Sequence, residues 1–130
     1  MTVYFMVRGY QFDPDHFLER SGLTHPTMHI WRKGQKSLPS GRIFEFSGLS
    51  LEASEAHNES FNDQVINTVA FLKEQSKALS HLLTLNQDIS TVFEFCIEDR
   101  DVRLQTENLP PELLRLAGNL NIGIDVTRSS

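Results

Sequence analysis

The run Thr91-Val92-Phe93-Glu94-Phe95-Cys96-Ile97-Glu98 places a bulky apolar side chain at every second position. No other feature of the sequence limits the fold as strongly. A period of two belongs to an extended strand, so Phe93, Phe95 and Ile97 must share one buried face while Glu94 and Glu98 share the other. Val3 to Val7 repeats the pattern, with Val3, Phe5 and Val7 on one side and Tyr4, Met6 and Arg8 on the other. Arg42 to Ser47 is read the same way, with Phe44 and Phe46 facing the core and Ile43, Glu45 and Ser47 facing away. Ile122 to Val126 closes the series, with Asp125 turned outward. Strands are therefore predicted near residues 3–8, 28–32, 42–48, 91–98 and 122–127, and Val102-Arg103-Leu104 is predicted as a short edge strand.

Helix signals separate these runs. Asp13-Pro14-Asp15 supplies an N-cap, a proline at the first helical position and an early acid, and Gly22 can end the helix in a left-handed conformation. This predicts a helix over 14–21. Ser60 with Asp63 three residues on is close to a capping box. From there Phe61, Val65, Val69, Leu72, Leu79 and Leu83 form one apolar stripe, which predicts a single helix over 61–85 with Asn86 as its stop. Asn108-Leu109-Pro110-Pro111 marks a third start, and Leu113, Leu116, Ala117 and Leu120 line the buried side of a helix over 111–120. Gly34 to Gly41, with Pro39 inside, reads as a loop, and Ser50 to Glu59 as a polar connection.

One α+β domain over 1–130 accounts for this order. It comprises a single mostly antiparallel or mixed sheet with helices on one face, related to the ferredoxin-like arrangement. A doubly wound parallel sheet fits less well, because its strands are apolar on both faces and these carry Glu45, Glu94 and Asp125. The chain has 130 residues, enough for one core, and its net charge of -5 works against attraction to nucleic acid or an anionic membrane. A basic partner is steered favourably. The single cysteine, Cys96, excludes an intrachain disulfide and fits a reducing compartment. Neither a leader at the amino terminus nor a membrane-length apolar run is seen, so a cytoplasmic location is expected.

The order Tyr4-Phe5 before Gly9, Phe12-Asp13-Pro14, Ser21-Gly22-Leu23, Trp31-Arg32-Lys33-Gly34, the long helix, Pro111-Glu112-Leu113-Leu114 and Ile122-Gly123-Ile124-Asp125 resembles the bacterial family called domain of unknown function 4279. The likeness spans nearly the whole chain, and Trp31-Arg32-Lys33-Gly34 is its sharpest element. The resemblance implies a small bacterial cytoplasmic domain. It brings no activity and no functional residues with it.

Two candidate sites emerge from the residues themselves. Trp31, Arg32, Lys33 and Arg42, with Lys36 nearby, make a basic patch beside an indole, able to grip a small anion through paired hydrogen bonds and stack on a ring. The sheet face turned from the helices is expected to carry Tyr4, Met6, Arg8, Ile43, Glu45, Glu94 and Asp125. That mixture of acids and anchors suits a basic protein partner, as in an immunity- or antitoxin-like domain, or a second copy of the chain in a homodimer. A Glu45–Glu94 carboxylate pair and an enzyme of unknown class are weaker readings. His25 and His29 lie four apart, but Pro26 makes a helix unfavourable there, and no metal site, cofactor or catalytic residue is expected.

Overall fold

The computed structural model describes residues 2–54, 60–85 and 88–129. In chain order the elements are β1 (Val3–Gly9), α1 (Pro14–Ser21), β2 (His29–Trp31), β3 (Ser47–Ser54), α2 (Phe61–Glu74), α3 (Ser76–Leu79), β4 (Ile89–Glu98), α4 (Pro111–Asn119) and β5 (Gly123–Ser129). The strands form one mixed sheet in the order β2-β3-β1-β4-β5. Neighbours are antiparallel except β4 and β5, which run parallel because α4 carries the chain back across the sheet. The helices cover one face.

Alternation works as expected on the two central strands. Val3, Phe5, Val7, Phe93, Phe95 and Ile97 are all buried, and they meet Phe71, Leu72 and Leu113 from the helices in one apolar cluster. Phe5 and Phe93 are paired across β1 and β4, their ring centroids 5.2 Å apart, and Phe71 of α2 lies edge-on to Phe93 at 6.1 Å. Such tilted and edge-on ring packing adds to the burial of each side chain. The caps of the first two helices also form as read. Asp13 accepts the backbone N–H of His16, and Ser60 accepts that of Asp63. Gly22 ends α1 at φ 71° and donates to the Leu18 carbonyl.

The third strand lies elsewhere than predicted. Residues 42–46 are irregular apart from an isolated bridge between Lys36 and Ile43, and the strand begins at Ser47. Leu49 and Leu51 hold the inward positions that the aromatic run of Phe44 and Phe46 had implied, pairing with Val7 and Phe5. Gly48 explains why a segment so poor in β-formers is selected. A Cβ at that position would collide with the Trp31 ring and lie 2.7 Å from the Val7 carbonyl, so only glycine lets the indole lie on the strand.

Three smaller differences follow from local geometry. The helix predicted over 61–85 stops at Glu74, where Gln75 leaves the helical region at φ -105°, ψ 11°. Beyond α3, residues Ser80–Thr84 wind as a 3-10 turn. Three residues per turn bring Leu82, not Leu83, beneath Leu79, and Leu83 is turned to solvent. Pro110, not Asn108, caps α4, and it offers no side-chain hydrogen bond. Val102 to Leu104 is not a strand, and the place beside β4 belongs to β5. Asn86 and His57 lie outside the described residues. No described helix is long and apolar enough to cross a membrane.

Removal of a ring from the central triangle should cost far more than removal of one outside it. Phe93→Ala is expected to lose about 3–5 kcal/mol of unfolding free energy in urea titration, and Phe44→Ala roughly half of that or less. Equal losses would contradict the assignment of Phe44 outside the core.

Candidate functional site

The face opposite the helices is organised in cross-strand rows, because residues in register on an antiparallel sheet point to the same side. One row runs Glu52, Tyr4, Glu94, Asp125 across β3, β1, β4 and β5. The next runs His29, Ser50, Met6, Val92, and the third places Trp31, Gly48, Arg8 and Ser90 side by side. The face therefore grades from carboxylates at one end, through a half-buried apolar strip, to a cation among aromatic rings at the other.

The acidic row has a definite chemistry. Burial first, then the charges of Glu52, Cys96 and Glu94, hold the Tyr4 phenol above its ordinary pKa. The Cys96 thiol is also pushed up, chiefly by burial and then by the charge and hydrogen bond of Glu94, whose Oε1 lies 3.6 Å from Sγ. The other carboxylate oxygen of Glu94 accepts from the Thr127 hydroxyl at 3.2 Å. Neutral phenol and neutral thiol between carboxylates form a surface that is negative but offers no activated nucleophile.

The predicted basic patch is divided by the alternation itself. Trp31 lies on the uncovered face over Gly48, 6.0 Å from the His29 ring and 6.2 Å from the Phe44 ring, with its Nε1 buried and without a partner among the described residues. Arg32, the next residue, turns to the helical side and forms two hydrogen bonds with Asp15 of α1, at 2.6 and 2.8 Å. The pair holds the Asp15 carboxyl below its usual range through the hydrogen bond from Arg32. Its guanidinium fork is thus already occupied. Lys33 and Arg42 are exposed on the connection between β2 and β3. Trp31, Arg32, Lys33 and Arg42 do not converge on one point.

Of the residues expected on the outer face, Tyr4, Met6, Arg8, Glu94 and Asp125 share it. Ile43 and Glu45 do not, because they precede β3. Their places are taken by Ser50 and Glu52, which the polar composition of 50–59 concealed, although Leu49 and Leu51 two apart were a usable signal. Glu45 therefore stands outside the Glu94 row. Glu52 is the carboxylate that matches Glu94 across Tyr4, two strand spacings or roughly 9–10 Å away. The histidines separate as well: His25 lies edge-on to Phe71 and its Nδ1 engages Thr27, whereas His29 lies by Trp31. Among the described residues, no three His, Cys, Asp or Glu side chains are grouped to hold a metal ion.

A cleft of about 370 Å³ opens where the third row continues past the strand ends, lined by Arg8, Tyr10, Phe46, Asp88 and Ser90. Phe46 lies under the Arg8 guanidinium at 5.7 Å and edge-to-face with Tyr10, their ring centroids 6.4 Å apart. Other clefts of about 170 and 220 Å³ are smaller than ligand sites usually are, roughly 300 Å³ or more. Tyr10 and Asp88 escaped sequence reading because they flank the strands rather than belong to them, and Phe46, read as a core residue of a strand, precedes β3 instead.

Two measurements test these assignments. Since burial is the larger cause, Glu94→Gln should lower the pH midpoint for Cys96 alkylation only part of the way toward that of a free thiol; an unchanged midpoint would exclude coupling to Glu94. For Asp15, a folded-state value below the ordinary 3.8 means that its contribution is full above that pH and disappears as pH falls through the lowered value. The thermal midpoints of Asp15→Asn and wild type should accordingly differ at neutral pH and converge in acid.

Comparison with known proteins agrees with the sequence motifs that the fold has now placed in α1, β2, α4 and β5. No curated protein and no solved structure was found to match. The whole chain, residues 1–130, matches one family profile. The protein belongs to the family described as Domain of unknown function (DUF4279).

Proposed function

We propose that the protein is a small interaction domain that docks a basic protein partner on the uncovered face of its sheet, in the manner of an immunity or antitoxin protein. The observation that carries this reading is the row Glu52, Tyr4, Glu94, Asp125 set beside the half-buried Met6 and Val92. Apolar anchors give such an interface its area, and the carboxylates beside them select an electropositive surface and steer its approach. The net charge of -5 acts in the same direction.

A homodimer through this face is a second reading with less support, since it gathers six carboxylates from two copies of the acidic row into one interface. The original anion site at Trp31, Arg32, Lys33 and Arg42 is disfavoured by the engagement of Arg32 with Asp15. The proposal includes a bacterial, cytoplasmic setting, which the free thiol of Cys96 supports. It also includes a ferredoxin-like relation: β1-α1-β2-β3-α2-α3-β4 with order 2-3-1-4 is consistent with a split βαβ unit that α4 and β5 extend.

The test is capture from the native host with wild type and with Glu52→Gln/Glu94→Gln/Asp125→Asn. A basic partner retained by wild type at physiological salt, and lost by the triple variant by about tenfold or more in affinity, is the expected result. Equal retention by both proteins, or no partner at all, would count against the acidic row.

A further inference from the structure

We infer that the cleft at the Arg8 end of the uncovered face is a binding site for a free α-amino acid, its carboxylate on Arg8, its ammonium group on Asp88 and its side chain against Tyr10 and Phe46. This inference does not depend on the basic partner, because it uses none of the acidic row.

The first observation is that a basic and an acidic residue, Arg8 and Asp88, line one cleft without forming an ion pair. Among the described residues the ion pairs are Arg32–Asp15, Lys73–Glu112 and Arg100–Glu107, and neither Arg8 nor Asp88 belongs to one. Arg8 is opposite Ser90 in the β1–β4 register, and Asp88 is two residues before Ser90. Asp88 thus precedes β4 directly, and it lines the same cleft as Arg8. An α-amino acid carries its ammonium nitrogen and carboxyl carbon about 2.5 Å apart, so one small molecule offers a carboxylate for Arg8 and an ammonium group for Asp88.

The second observation is how firmly the walls are built. A Cβ on Gly9 would lie 2.8 Å from the Asp88 carbonyl, so glycine at this position lets the chain entering β4 lie directly against β1 and fixes the base of Asp88. The Arg8 guanidinium is held over the Phe46 ring. Among the described residues the guanidinium has no ion-pair partner, so its N–H groups can meet a carboxylate in a paired arrangement.

The third is the ring of Tyr10. It is 65% exposed although it packs edge-to-face with Phe46, so it presents accessible apolar surface to the cleft. A volume of about 370 Å³ suits a small molecule. Asp88 disfavours phosphates and other ligands that are only anionic, and Arg8 disfavours simple amines. A zwitterion with an apolar side chain satisfies all four groups.

The experiment is an NMR titration of the full chain with each proteinogenic amino acid, and with 3-phenylpropionate and phenethylamine as probes that each lack one charge. Saturable shifts at Arg8, Tyr10 and Ser90 with an apolar or aromatic amino acid are expected, with affinity about tenfold or more weaker for either singly charged probe. Arg8→Gln and Asp88→Asn, both exposed positions, should each lose binding by a similar factor while keeping the wild-type thermal midpoint. Glu52→Gln/Glu94→Gln/Asp125→Asn should bind amino acid as wild type does. No saturable shift with any amino acid, equal affinity for a singly charged probe, or unchanged binding by either single variant would overturn the assignment.

Discussion

The contact of Phe5 with Phe93 across the two middle strands, closed from above by Phe71, is the interaction on which the remaining structure depends. It fixes the register of β1 on β4, and with a period of two a slip of one residue would send every inward ring to solvent. Once that register is set, the outer positions are set with it. Tyr4 must lie beside Glu94, Met6 beside Val92 and Arg8 beside Ser90. The composition of the uncovered face is therefore a consequence of how the core packs.

The same partition explains how one short strand serves two purposes. Val3, Phe5 and Val7 of β1 are fully buried, while Tyr4, Met6 and Arg8 supply the middle of all three outer rows. A change at Tyr4, Met6 or Arg8 alters the accessible surface and leaves the aromatic triangle untouched, so the two faces can vary separately. Trp31 shows the reverse dependence. Its place on the face exists only because β3 offers Gly48 there, which couples the identity of one residue on the edge strand to a glycine on its neighbour.

Much of the architecture was legible from local patterns. Val3 to Arg8 and Thr91 to Glu98 declare their faces because each apolar residue is large and each intervening residue is polar or of another shape. The caps at Asp13 and Ser60 declare helix starts because a short polar side chain satisfies backbone N–H groups there. Reading failed where an aromatic run imitated a strand at Phe44 and Phe46. High β-propensity describes fitness for a pleated surface, not membership of one, and here the rings pack on Trp31 and Arg8 instead. It also failed at Arg32, which adjacency groups with Trp31 but backbone alternation sends to the opposite side.

By itself the sequence determined an α+β fold, the inward faces of β1 and β4, where α1, α2 and α4 begin and the acidity of the chain, since these depend on spacing and composition within a few residues. Tertiary structure alone decided that Ser47–Ser54 is the third strand, that Glu52 completes the row of Tyr4 and Glu94, that Arg32 is matched to Asp15, and that Arg8, Tyr10, Phe46 and Asp88 meet around one cleft. Each of these joins residues far apart in the chain. The sequence carries no local signal for such a meeting, because what selects it is the fit of an indole over a glycine and the mutual burial of rings from three separate elements.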